Sequence, residues 1–117
     1  MSSDGVLAGQ SAIVTAGASG IGRAIAECLI AAGAAVHICD VSYEHLNTAK
    51  TSVSGLTGSL ADVSKPAEVE QLFDDALAQM GGLDILVNNA GIQWPGRGKT
   101  GLEHDEQIWW DILAVNL

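Results

Sequence analysis

The residue types best suited to chemistry gather at one turn near the N-terminus. Thr15-Ala16-Gly17-Ala18-Ser19-Gly20-Ile21-Gly22 follows a short apolar run and opens a segment of helical spacing. Glycines at a strand-to-helix turn let the main chain come close to a pyrophosphate, because no Cβ stands in the way. The first turn of the helix adds N–H groups without intrahelical partners and the positive end of the helix dipole. Thr15, Gly17, Ser19, Gly20, Ile21 and Gly22 are therefore candidate cofactor-binding positions. The alternative is a tight turn that holds no ligand.

A second candidate lies eighteen residues beyond Gly22, at the end of the next apolar run, where Asp40 stands. A carboxylate there can accept a hydrogen bond from a ribose 2′-hydroxyl and repels a 2′-phosphate. Neither Ser19 nor Val41 is basic, so no neighbour offsets that repulsion. The pair of features favours NAD over NADP. The competing role for Asp40 is to cap the turn that follows.

These positions need a scaffold of alternating strands and helices, and the hydrophobic period supplies one. Ser11 to Thr15 reads as a strand, and Ile21, Ala24, Ile25, Cys28, Leu29 and Ala32 then fall on one helical face. Gly33 ends that helix. Ala35 to Asp40 is a second strand, and Ser42 caps a helix running to about Lys50. Gly55 to Ala61 is a third strand. Ser64 is the expected N-cap of a helix with Pro66 in its first turn and Val69, Leu72, Phe73, Ala76, Leu77 and Met80 as its apolar face. Gly81-Gly82 stops it, Asp84 to Asn88 is a fourth strand, and a last helix starts at Asp105. Strands separated by helices imply a parallel sheet with right-handed crossovers, covered on both faces.

Length and composition narrow the function further. The 117 residues suffice for one domain, and 48% are apolar, enough for a packed core. Fourteen acids against five bases give a net charge of −9, which argues against nucleic acid or an anionic membrane as partner. Arg97 and Lys99 form the one local basic cluster and read as solvated. No stretch has signal-peptide or membrane-span character. Cys28 and Cys39 have no metal or redox spacing and read as two buried thiols, so the expected compartment is the cytoplasm. His37, His45 and His104 lie on separate elements and read as structural or surface residues. Trp94-Pro95 either packs locally or lines a substrate cleft.

Taken together, the motifs resemble those of the short-chain dehydrogenase/reductase family, from about Leu7 to the last residue. Thr15 to Gly22 is similar to its Thr-Gly-x-x-x-Gly-x-Gly loop, with Ala16 in place of the first glycine. Asp62-Val63 is similar to its adenine-contacting pair, Asn88-Asn89-Ala90-Gly91 to its Asn-Asn-Ala-Gly motif, and Asn116 to its helix asparagine. The resemblance implies a Rossmann-type, doubly wound parallel α/β sheet with its first four strands in the order 3-2-1-4. It adds Asp62, Val63, Asn89, Ala90 and Gly91 to the cofactor-binding set. It makes Asn116 a catalytic residue, holding a water in a proton relay. The implied activity is hydride transfer between a nicotinamide cofactor and an alcohol or ketone.

The same resemblance implies groups that the sequence does not contain. The family's general acid/base is a tyrosine with a lysine four residues later, and a serine polarises the substrate carbonyl. A free phenol has a pKa of about 10, so the lysine is what makes it useful near neutrality. The one tyrosine here, Tyr43, is followed four residues on by Asn47 and lies near Asp40, at the adenine end. The expectation is thus residues 1–117 as the N-terminal part of a single NAD-binding domain, inactive alone and homo-oligomeric at full length. A noncatalytic NAD-binding module, or one half of a two-chain assembly, is the alternative.

Overall fold

The computed structural model describes residues 5–90. Within them four strands alternate with three helices: β1 (Ser11–Thr15), α1 (Gly20–Ala31), β2 (Ala35–Asp40), α2 (Tyr43–Ser52), β3 (Thr57–Leu60), α3 (Pro66–Met80) and β4 (Ile85–Val87). The sheet runs in the order β3-β2-β1-β4, and every pairing is parallel. This is the doubly wound α/β architecture and strand order that the motifs implied.

The two faces of β1 explain how the helices divide. Ala12 and Val14 join Ala26, Val36, Ile38, Leu46 and Ala49 in a core beneath α1 and α2. Ile13, between them, points the other way and packs with Cys39, Leu72 and Ala76 beneath α3. Successive side chains of a strand alternate in direction, so a run that is apolar at every position must be covered on both sides. All five β1 residues are buried.

The loops after the helices follow local stereochemistry. Gly33 and Gly81 have φ of +102° and +79°, and Gly81 is the left-handed C-cap of α3. Ser42 caps α2 by accepting a hydrogen bond from the His45 N–H at 3.2 Å. At α3 the expected cap is displaced by one residue. Lys65, not Ser64, is the N-cap, and Pro66 follows it in the first turn. The side chain of Ser64 is engaged instead by Asp62, to which it donates at 2.6 Å. Glu68 reaches back to accept from the Asp62 N–H at 2.9 Å.

Four further expectations need correction. The third strand is shorter than Gly55 to Ala61, because Gly55 takes φ +84° in the preceding turn and Leu56 is still outside the ladder. The buried face of α1 is rotated: Gly22 and Ala26 are buried with Ile25, Leu29 and Ile30 against them, whereas Ile21, Ala24 and Cys28 are exposed. Helix α1 is apolar nearly all round, so small residues such as Ala24 do not mark a face, and the close approach at Gly22 sets the rotation. Cys28 is consequently an exposed thiol, and only Cys39 is buried. On α3, Leu77 is likewise half-exposed rather than part of the core.

Candidate functional site

The glycine loop sits at the carboxyl end of β1, between α1 and the end of β2. Its geometry is set by close approaches that only glycine permits. A Cβ on Gly17 would fall 2.6 Å from Ile38 Cγ2, and one on Gly22 only 2.1 Å from the Ala16 carbonyl oxygen. Gly22 therefore lets the first turn of α1 press against the start of its own loop. Gly20 differs: it has φ +57°, and the side where its Cβ would stand is open. Ser19, Gly20 and Ile21 are all exposed, while Gly17 and Ala18 beside them are buried. The buried part is anchored and the exposed part presents backbone at a helix N-terminus, the arrangement that can receive an anion.

Ala16 occupies the position at which the resemblance shows a glycine, and it has φ +50°. It is the one non-glycine residue with positive φ among the described residues. The left-handed region costs an L-residue with a Cβ about 1 kcal/mol or more. The loop holds its shape there despite the methyl group.

Two ties fix the loop from either side. On the β4 side, the Thr15 hydroxyl accepts from the N–H groups of Asn89 and Ala90, both at 2.9 Å, and donates to the Val87 carbonyl at 3.4 Å. A hydroxyl has one donor and two acceptor sites, so Thr15 is fully engaged. Asn89 also donates from Nδ2 to the Ala16 carbonyl at 3.3 Å. On the β2 side, the Gly17 N–H donates to the Cys39 carbonyl at 3.1 Å. The Ala18 N–H donates to Asp40 Oδ2 at 3.3 Å, and the Ser42 N–H to Asp40 Oδ1 at 3.0 Å. Asp40 is buried. It does cap the turn that follows, and it grips the glycine loop as well.

Asp62 and Val63 follow β3 at the same end of the sheet. Asp62 Oδ1 accepts from both the side chain and the N–H of Ser64, and these bonds hold its carboxyl below the usual carboxylate range. Val63 packs, half-buried, against the core beneath α3. The thiol of Cys39, under the loop, is pushed up to about 11 by burial, with the Ala16 N–H opposing the shift. It is a neutral thiol at physiological pH and a poor nucleophile.

The structure thus brings together Thr15, Gly17, Ser19, Gly20, Ile21, Gly22, Asp40, Asn89 and Ala90 around one loop. Gly91 and Asn116 lie outside the described residues, as do Trp94, Arg97, Lys99, His104 and the expected helix from Asp105. Tyr43 opens α2 as an exposed residue. His37 is buried and hydrogen-bonded to Thr57 Oγ1 and Ser59 Oγ, each at 2.7 Å, and His45 is exposed. The contact of Ala18 with Asp40 escaped the sequence reading. Ala18 contributes only its main-chain N–H, and no residue type signals that.

A parallel sheet of this order, with a glycine loop after β1 and an acid at the end of β2, defines a nucleotide-binding α/β fold of the Rossmann type. Residues 10–117 match the family model described as short chain dehydrogenase, and the chain belongs to that family. Among its relatives is the short chain dehydrogenase/reductase dpmpG of Macrophomina phaseolina, 42% identical over 95% of this chain and 65% of that protein. Another is the 3beta-hydroxysteroid dehydrogenase 2 of Eggerthella lenta, 38% identical over 96% of this chain and 44% of that protein. A solved structure, the 3-ketoacyl-(acyl-carrier-protein) reductase of Brucella melitensis complexed with NADH, is similar with a TM-score of 0.77 and 30% identity. That likeness covers 93% of this chain and 45% of the reductase. The chain spans less than two thirds of the length of each of these relatives.

Proposed function

We propose that this chain is the cofactor-binding half of an oxidoreductase that transfers hydride between NAD and an alcohol or ketone. The observation that carries the reading is the exposed Ser19-Gly20-Ile21 backbone, with its open side at Gly20, next to a buried Asp40 carboxylate. The loop suits a pyrophosphate. The carboxylate, with no basic residue at Ser19 or Val41 to offset it, suits a ribose bearing a free 2′-hydroxyl. The NADH complex of the Brucella reductase supports the choice of nicotinamide cofactor.

In this reading Ser19, Gly20 and Ile21 face the pyrophosphate while the buried Thr15, Gly17 and Gly22 hold their loop in place, Asp62 and Val63 flank the adenine, and Asn89, Ala90 and Gly91 border the adenosine ribose. Asn116 holds a water for proton transfer. When bound, the cofactor supplies the hydride, and the residues present here bind and orient it. Tyr43, exposed at the start of α2 with Asn47 rather than a lysine four residues on, is not the acid/base residue in this reading. The free cysteines Cys28 and Cys39 support a reducing compartment such as the cytoplasm.

Calorimetric titration with NAD and with NADP tests the reading. NAD is expected to bind, and more tightly than NADP by roughly tenfold or more, the equivalent of one lost charge-assisted hydrogen bond. Equal affinity for the two, or no binding of either to folded protein, would overturn it. Binding of NAD without turnover of any alcohol or ketone by the complete coding sequence would favour a noncatalytic NAD-binding module instead.

A further inference from the structure

Asp40 does more in the fold than a ribose-selecting acid requires. Both of its carboxylate oxygens accept main-chain hydrogen bonds within the chain, from Ala18 and from Ser42. Its own carbonyl accepts from the Ala61 N–H at 3.0 Å, so the residue joins the loops after β1, β2 and β3. Ala18 is 2% exposed, so its N–H has no water to turn to if the carboxylate is removed. A buried donor with a carboxylate partner is held firmly, and one without a partner is driven to move. The next three residues, Ser19 to Ile21, are the exposed ones.

We propose that Asp40 is a positioning residue for the glycine loop, fixing Ala18 so that Ser19 to Ile21 stand in a binding-ready arrangement before any ligand arrives. Selection at the ribose and grip on the pyrophosphate are then coupled through one carboxylate. The functional half of this statement rests on the dinucleotide reading above; the clamp itself does not. A substitution at Asp40 meant only to relax cofactor choice also loosens the phosphate cradle.

Two measurements on the ligand-free chain and its Asp40→Ala variant, which removes both acceptors, test this. In amide hydrogen exchange, Ala18 is expected to be protected in the wild type and to exchange roughly tenfold faster or more in Asp40→Ala. Ile13 and Ala76 amides, in β1 and α3, stay unchanged and report that the variant is folded. Where Asp40→Ala does not fold, Asp40→Glu keeps the charge but displaces it by one methylene, and the same loss at Ala18 is expected. The second measurement is an NMR titration with inorganic pyrophosphate, which has no ribose. Removing a nearby negative charge by itself would tighten binding of this anion, whereas loosening the loop weakens it. Weaker binding to the variant is expected.

An unprotected Ala18 in the wild type, or one indifferent to the substitution, overturns the clamp. Pyrophosphate bound as tightly by the variant overturns its role in the cradle. If NAD does not bind the wild type while Ala18 responds as described, the dinucleotide reading falls and the clamp stands.

Discussion

A methyl group separates Ala16 from glycine, yet at φ +50° that group opposes the conformation of its own backbone. Replacing it by glycine removes a left-handed penalty of about 1 kcal/mol and adds back some freedom to the unfolded chain, worth about 0.5 kcal/mol or more. The second offsets about half of the first. Ala16→Gly is therefore expected to stabilise the protein by about 0.5 kcal/mol, read as a small rise in urea midpoint at constant slope. A loss of stability on that substitution would show that the loop uses the methyl group for packing. The residue scale was also the scale at which sequence was most informative. Glycines at Gly17, Gly20 and Gly22 and the acid at Asp40 were visible as types at a spacing. The double engagement of Asp40 was not, because its partners are main-chain N–H groups whose direction depends on the folded loop.

At the scale of elements, two glycines allow a helix to pack closely, α1 against its own loop and α2 against β3, with different tolerance. At Gly22 a Cβ would meet the Ala16 carbonyl at 2.1 Å, a backbone atom that cannot move without distorting the loop. At Gly58, inside β3, the tightest contact would be Leu46 Cδ1 at 2.7 Å, a side-chain end that can shift, with Ile38 Cγ1 at 3.0 Å and the Ile38 carbonyl oxygen at 3.2 Å less crowded. Gly22→Ala is thus expected to cost about 3 kcal/mol or more, and Gly58→Ala about 1 kcal/mol. Denaturant unfolding of the two variants checks the order; an equal cost would contradict the packing described. The same contrast explains what the sequence disclosed about elements. Strands β1 and β2 were legible to the residue, because apolar runs are bounded by turn residues. The rotation of α1 was not, since Ile21, Ala24 and Cys28 look as apolar as the true face. What decides the rotation is the contact of Gly22 with Ala16, which a periodicity cannot contain.

Across the whole molecule, the α3 face of the sheet carries a polar seam that ties stability to pH. The buried His37 ring contacts Thr57 and Ser59, Ser59 donates to Asp75 Oδ2 at 3.0 Å, and Gln71 donates to Asp75 Oδ1 at 2.8 Å. Burial lowers the His37 pKa, with Asp75 opposing and Lys50 adding to the shift. The native state thus holds a neutral ring where the unfolded chain takes up a proton near its ordinary value of about 6.5. Stability from this group is complete above about pH 6.5 and is lost as pH falls from there towards the lower native value. Hydrogen bonds from Gln71 and Ser59 hold Asp75 low, and those from Ser64 hold Asp62 low. Their contribution is present above about pH 4 and is lost as pH falls through their native values. The urea midpoint is expected to be flat just above neutrality, to fall above about pH 8.5 as the unfolded Cys39 thiol ionises ahead of the native one, and to decline in two stages on acidification. His37→Gln, which cannot titrate, removes the first stage and leaves the second. A first decline that survives this substitution would assign it to another group.

The glycine loop has one more consequence, and it is thermal. Ile21 is 75% exposed in the first turn of α1, and Val41 is 70% exposed just after β2, on either side of the Asp40 carboxylate in the chain. Apolar surface left in water carries a large hydration heat capacity, which disappears when a ligand covers it. A flat ligand lying across this end of the sheet is therefore expected to bind with an enthalpy that grows more favourable on warming. Titrations at several temperatures would read this as a negative heat-capacity change, shrinking when Ile21 and Val41 are replaced by serine.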